Sequence, residues 1–301
     1  MVYTPEQLFS GPEFADAGCN AAPRFAVFGN PIAHSLSPVM QNAALQFAAR
    51  SKPELAGAKY YAFQVAAEDL ADVLPEFHKK NFAGINLTIP HKEVVLPLVK
   101  ELDGFAKMAG ACNTLKRTDG GWTGYNTDGF GLEGAVRQSF GFGFDGRDVV
   151  LLGAGGAARG AAFWALTRGC KSLTIANRSR ERLEKLAADI RANNFECRTA
   201  ELSPEIKIPQ NAIVINATSI GLKDSDAPTL DFAAFPESAV YFDMPYIRGR
   251  ETNSVAAARK LDIRAASGLA MLAWQGAESL ELWTGANRGE TVKTMLEALG
   301  L

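Results

Sequence analysis

Near the middle of the chain an apolar run, Val149–Leu152, stops at Gly153. It turns through Gly153-Ala154-Gly155-Gly156-Ala157-Ala158 into a stretch with helical spacing at 156–169. A strand that passes through glycines straight into a helix has few uses. Gly153 permits the tight turn, Gly155 lets the backbone approach a pyrophosphate, and Ala158 lets helix and strand pack closely. The unpaired N–H groups and the positive helix end then attract the anion. The alternative is a glycine-rich turn with no ligand, but the strand–turn–helix context favours a dinucleotide.

The following strand, 172–177, bears on which dinucleotide. NAD sites usually place Asp or Glu after it to hold the ribose 2′-hydroxyl. Here it ends Ile175-Ala176-Asn177-Arg178-Ser179, followed by Arg180 and Arg182. Guanidinium groups fork onto phosphate oxygens, so Arg178 points to the 2′-phosphate of NADP. Arg180 and Arg182 read equally well as solvated helix residues. A helix at 179–194 and apolar strands at 212–218 and 239–244 complete an expected Rossmann NADP-binding domain over 128–264.

The preceding residues alternate in the same way. Strands are expected at 25–29, 60–65 and 84–89, and helices at 38–49, at 66–80 and from 91, with Pro97 as a break. Ser37 reads as an N-cap and Pro38 as the first helical residue. Such alternation implies a parallel α/β sheet. Residues 1–127 form an expected α/β domain, with 1–23 an irregular lead-in. A helix over 128–140 joins the two halves, and 268–283 reads as a helix within a last segment, 265–301.

Bulk properties exclude several classes. The 301 residues, 47% hydrophobic and 21% charged, suit two domains with ordinary cores. A formal net charge of -2 offers no attraction to a polyanion, so no nucleic-acid partner is expected. Cys19, Cys112, Cys170 and Cys197 are scattered, without a CxxC pair or histidines at ligand spacing. No metal site or disulfide framework is expected, and the thiols fit a cytoplasmic location. The first 18 residues lack the apolar core of a signal peptide, and no apolar run is long enough to span a membrane.

The first half carries polar groups at loop and element ends. Ser35 and Ser37 present two hydroxyls from one turn, suited to a carboxylate, although Ser37 alone reads as a cap. His34 reads as a turn residue. Asn86 and Thr88 are two apart and share a strand face. Lys92 falls in the first turn of a helix, where the positive dipole end and partial burial are expected to depress its pKa. Such a lysine can exchange protons or stabilise a developing alkoxide, while the plain alternative is an exposed first-turn lysine. Asn113 and Asp128 follow; Asp128 opens a helix and reads either as a cap or as an acceptor for a substrate hydroxyl. Together these groups suit a small polyhydroxylated acid.

Six segments in order, 29–38, 86–92, 126–129, 153–160, 177–179 and 216–219, resemble the shikimate dehydrogenases, over about residue 24 to the C-terminus. The resemblance implies NADPH-dependent interconversion of 3-dehydroshikimate and shikimate, in aromatic amino-acid biosynthesis. It implies that Ser35, Ser37 and Tyr246 hold the carboxylate, and that Asn86, Thr88, Asn113 and Gln275 contact ring hydroxyls. Lys92 and Asp128 would form the catalytic pair. Gly153, Ala154, Gly155, Gly156, Ala157 and Ala158 would hold the pyrophosphate, and Asn177, Arg178, Ser179 and Arg182 the adenosine phosphate. Thr218 and Ser219 would line the cofactor, with Gly268 and Met271 near the nicotinamide. The helices of 265–301 would pack back on the first domain, with the site in an interdomain cleft. A homodimer is left open. Ala270 stands where the family often has glycine, and the segment after Tyr246 is more polar than usual. The competing readings are an NAD-preferring quinate/shikimate enzyme and a non-catalytic metabolite sensor.

Overall fold

The computed structural model describes residues 1–10, 14, 22–221, 223 and 225–301. It divides into two units, Met1–Thr127 with Ala273–Leu301, and Asp128–Leu272.

The first unit holds a seven-stranded sheet: β1 (Val2–Tyr3), β2 (Arg24–Gly29), β3 (Lys59–Gln64), β4 (Phe82–Leu87), β5 (Glu101–Leu102), β6 (Thr114–Thr118) and β7 (Gly121–Tyr125). The strand order is β1-β3-β2-β4-β6-β7-β5. Its helices are α1 (Pro5–Ser10), α2 (Ser37–Ala48), α3 (Leu70–Lys79), α4 (His91–Val94) and α5 (Gly104–Ala109). Strand β2 is buried along nearly its whole length because both faces are covered, which is why it reads as a continuous apolar run. In α3, Leu70, Val73, Leu74 and Phe77 are buried, a single stripe at helical spacing. They join Phe28, Phe63 and Phe82 in one core, where Phe77 lies edge-on to Phe28 and Phe63 at ring distances of 4.6 and 4.7 Å. Burying each such ring contributes about 1.5–3 kcal/mol.

Three expectations change here. The sheet is mixed: β6 runs antiparallel to both β4 and β7. Strands β6 and β7 join through Asp119-Gly120, with Gly120 at φ +81°, and a two-residue connection forces reversal. The lead-in is not irregular over its first ten residues, since β1 pairs with Ala62 and Phe63 of β3 and α1 follows. The rest of the lead-in lies outside the described residues, apart from Phe14, Ala22 and Pro23, and Cys19 lies outside with it. Ser37 is not the cap of α2. Leu36 holds that position, and no side chain bonds the helix start.

The second unit holds six parallel strands: β8 (Asp148–Leu152), β9 (Ser172–Asn177), β10 (Arg198–Glu201), β11 (Ile213–Asn216), β12 (Val240–Asp243) and β13 (Ala265–Ser267). The order β10-β9-β8-β11-β12-β13 is that of a doubly wound nucleotide-binding fold. Connection direction reverses between β8 and β11, so the loops at their carboxyl ends flank the switch-point crevice. Helices α6 (Asp128–Phe140), α7 (Gly156–Thr167), α8 (Arg180–Ala192) and α9 (Asn253–Arg259) belong to this unit.

Helix α10 (Leu269–Thr284) begins in the second unit, and from Ala273 it belongs to the first, together with α11 (Arg288–Leu299). Within the first unit Gln41 of α2 donates to the Gly276 carbonyl at 3.0 Å. Trp283 stacks on Phe25 at 5.0 Å and donates its ring N–H to Leu115 at 2.9 Å.

Candidate active site

In the first unit, the carboxyl ends of β2 and β4 are stitched together. Thr88 N–H donates to Phe28 O at 2.9 Å, and Asn30 N–H donates to Ile89 O at 3.0 Å. A Cβ at Gly29 would collide with the Thr88 methyl and the Ile32 side chain, so glycine keeps these two turns in register. The first turn carries Ser35, whose hydroxyl accepts the Ser37 N–H at 3.3 Å. That bond uses Ser35 Oγ as acceptor and leaves its O–H as a donor, the polarity a carboxylate needs.

The second turn leads into α4. His91 N–H donates to Thr88 O, and Cys112 N–H to Lys92 O, both at 2.8 Å. Lys92, half-buried, is thereby fixed beside the segment that carries Asn113. The dipole argument for Lys92 weakens, because α4 is one four-residue turn and the chain re-forms as a 3-10 turn at Leu96–Leu98. His91 is fully buried, with neither ring nitrogen hydrogen-bonded. Burial pushes its pKa below the ordinary value, and the Val65 backbone opposes this weakly without reaching hydrogen-bond geometry.

Asn86, Asn113 and Gln275 meet in one buried polar network. Thr127 N–H donates to Asn113 Oδ1 at 2.8 Å. A backbone N–H can only donate, so this bond orients the amide and leaves Asn113 Nδ2 to donate to Thr127 Oγ1 at 3.0 Å and Gln275 Oε1 at 3.3 Å. The Asn113 carbonyl, which can only accept, orients Asn86 by taking a bond from its Nδ2 at 3.3 Å, so Oδ1 accepts the Tyr60 O–H at 2.7 Å while Nδ2 also faces Thr114 Oγ1 at 3.0 Å and Ser279 Oγ at 2.9 Å. Thr114, Thr127 and Ser279 hydroxyls lie within 2.9–3.2 Å of one another. The site therefore offers amides of defined orientation, pinned from behind by Tyr60, Thr114, Thr127 and Ser279. Of these four, Ser279 was within reach of sequence reasoning, since it lies one helical turn after Gln275.

The second unit carries the other predicted residues. Gly153 has φ +116°, and its N–H donates to Ala176 O at 2.7 Å. A Cβ there would press on the Ala217 carbonyl, 3.0 Å away, and on the Thr218 methyl. Gly155 is the N-cap of α7, and a Cβ on it would meet nothing within 4 Å. Only glycine suits the first position, while the second opens onto free space, the arrangement a pyrophosphate requires. Ala158 is fully buried.

At the end of β9, Asn177 donates to Ser179 O at 2.9 Å and Ser179 caps α8. Arg180 pairs with Glu184 at 2.6 Å, so it is occupied on the helix surface. Arg178 and Arg182 are exposed and bond no described residue through their side chains. These residues fit NADP: a cradle for the pyrophosphate and, at the 2′ position, guanidinium without a competing carboxylate.

Thr218 Oγ1 donates to Asn216 Oδ1 at 2.7 Å. Gly268 N–H donates to Pro245 O at 3.3 Å, one residue before half-buried Tyr246, and a Cβ at Gly268 would overlap the Met244 carbonyl. Met271 is buried, and Asp128 is the buried first residue of α6. Lys92 lies in the first unit and Asp128 in the second. Among the described residues no His/Cys/Asp/Glu group is arranged to hold a metal, and no helix is long and apolar enough to cross a membrane.

Family models describing a shikimate dehydrogenase substrate-binding domain, a shikimate/quinate 5-dehydrogenase and a shikimate 5′-dehydrogenase C-terminal domain match residues 27–115, 135–223 and 268–299. The NADP(+) shikimate dehydrogenase of Geobacter sulfurreducens is 38% identical over 270 residues, spanning 88% of this chain and 92% of the relative. That of Moorella thermoacetica is 38% identical, spanning 91% and 93%. The crystal structure of the Thermus thermophilus enzyme with NADP(H) and shikimate matches with a TM-score of 0.77 and 33% identity, covering 92% of this chain and 99% of that one. On these matches, and on the cradle and polar network they span, the chain belongs to the shikimate dehydrogenase family.

Proposed function

We propose that the protein catalyses the reversible NADPH-dependent reduction of 3-dehydroshikimate to shikimate. The observation that carries the reading is the oriented network around Asn113 and Gln275, held in the same unit as Thr88 and Lys92. Oriented amides, hydroxyls and an ammonium suit a ring bearing a carboxylate and several hydroxyls.

Substrate recognition is assigned mainly to the first unit, with Tyr246 and Asp128 drawn from the second, to which cofactor binding is assigned. Ser35, Ser37 and Tyr246 hold the carboxylate, while Thr88, Asn86, Asn113 and Gln275 address the ring oxygens. When bound, NADPH supplies a hydride to the ketone carbon. Lys92 stabilises the developing oxyanion and delivers the proton to that oxygen. Asp128 accepts a hydrogen bond from a substrate hydroxyl. Gly153–Ala158 hold the pyrophosphate; Asn177, Arg178, Ser179 and Arg182 take the adenosine 2′-phosphate end. Thr218 and Ser219 line the cofactor, with Gly268 and Met271 near the nicotinamide.

The thiols support a cytoplasmic setting with structural rather than reactive cysteines: Cys112 is buried, and burial pushes Cys170 up to about 11 and Cys197 upward. One assay tests the function. Shikimate and quinate are each offered with NADP and NAD, and absorbance of the reduced cofactor is followed. Turnover is expected to be fastest with shikimate and NADP. No turnover with any pair sinks the enzymatic reading, and preference for quinate with NAD replaces it.

A further inference from the structure

At the carboxyl end of β12, Asp243 is fully buried. Its carboxylate receives three donors and no acceptor. Asn216 Nδ2 donates to Oδ1 at 2.6 Å, Tyr241 O–H reaches the same oxygen at 3.4 Å, and Thr252 O–H donates to Oδ2 in a short bond. The orientation of Asn216 is not free to change. Its Oδ1 accepts the Thr218 N–H at 3.0 Å, so Nδ2 must face Asp243 and the Ile220 carbonyl, 3.0 Å away. Thr252 in turn caps α9 by accepting the Val255 N–H.

A buried carboxylate is costly unless its partners need it. Burial pushes Asp243 up to about 6, while its three hydrogen bonds pull the other way. The neighbouring backbone indicates what the charge holds in place. Met244 N–H donates to Asn216 O at 2.9 Å, and Pro245 O accepts the Gly268 N–H. The segment after β12 is thus clamped between the Asn216–Ser219 turn and Gly268. Both flanks carry residues assigned above to the cofactor.

We infer that Asp243 is a positioning residue for NADP(H): its carboxylate locks Asn216 and Thr252, and through them the turn bearing Thr218 and Ser219 and the strap running past Gly268. It touches no reacting atom. The inference rests on the proposed placement of the cofactor at those residues. The three donors also explain why an amide does not replace the acid. An asparagine side chain in place of Asp243 would turn its N–H₂ group toward either the Asn216 N–H₂ or the Thr252 O–H, leaving that donor without an acceptor.

The test uses the full-length protein and NADPH as probe, with the dissociation constant read from NADPH fluorescence. Asp243→Asn and Thr252→Val are expected to weaken binding by at least about fivefold. Thr252→Ser, which keeps the donor, stays within about twofold of wild type. NADH binding should weaken in parallel, because the 2′-phosphate contact is untouched. A merely structural role lowers the melting temperature and leaves the dissociation constant where it was; folded Asp243→Asn and Thr252→Val proteins binding NADPH like wild type overturn the inference. Should Asp243→Asn not fold, the comparison of Thr252→Val with Thr252→Ser decides alone. A wild-type protein that does not bind NADPH overturns the cofactor reading itself, a separate outcome.

Discussion

Tyr60 O–H donates to Asn86 Oδ1 at 2.7 Å, with both side chains buried. The Asn113 carbonyl accepts from Asn86 Nδ2 at 3.3 Å and so decides which way the amide faces, leaving Oδ1 for Tyr60 and Nδ2 for Thr114 and Ser279. Tyr60→Phe keeps the ring and removes the donor. It is expected to lower unfolding free energy by about 1–3 kcal/mol, the usual penalty for an unsatisfied buried acceptor. The KM for shikimate should rise while that for NADP stays near wild type. Urea denaturation and steady-state kinetics check both, and an unchanged shikimate KM removes the network from substrate positioning.

Lys92→Ala is expected to lower kcat by about 10²-fold or more while changing KM much less, because an interaction with developing charge is strongest in the transition state. Steady-state rates with shikimate and NADP decide this. A variant with near-normal kcat excludes Lys92 from proton transfer.

Arg178 is exposed at the end of β9 and has no partner among the described residues. Arg178→Ala should reduce the ratio of NADP to NAD specificity constants by roughly tenfold, equivalent to about 1.4 kcal/mol. An unchanged ratio returns Arg178 to the solvated surface.

His91 and Asp243 set opposing pH dependences. The folded pKa of His91 lies below its ordinary 6.5, so the unfolded chain takes up its proton first as pH falls. Its contribution to stability is present above 6.5 and is lost as pH drops below that value. Asp243 sits at about 6 against 3.8, so its contribution is present below 3.8 and lost as pH rises through about 6. His91→Phe should therefore flatten the fall in melting temperature between about pH 7.5 and 5.5. Identical slopes for variant and wild type would show that His91 titrates normally.

Gly84 lies under the Trp283 indole, and a Cβ would overlap that ring. Gly84→Ala should cost about 1–3 kcal/mol by overpacking. Since Trp283 also anchors α10 on Phe25 and Leu115, the shikimate KM should rise with it, because Gln275 rides on the same helix. Thermal melts and kinetics test the pair of effects; a variant as stable as wild type shows that the indole can yield.

Local chemistry made much of the second unit legible. Gly153 needs φ beyond the reach of other residues, Val149–Leu152 form an apolar strand, and Asp128–Phe140 form the helix expected from their spacing. These are properties of a few consecutive residues, so they can be read in one dimension. The β6–β7 hairpin was readable too, since Asp119-Gly120 is a strong turn signal between two short strands, but it was hidden by the helix–strand rhythm around it.

The sequence alone determined the cradle, the family motifs and the residue types available for chemistry. It could not determine which atom each amide presents. That depends on Thr127 meeting Asn113, on the Asn113 carbonyl meeting Asn86 across 27 residues, and on Ser279 arriving from 193 residues away. Hydrogen-bond direction is set by the partner, and partners so distant in sequence are chosen only when the sheet and its helices pack together.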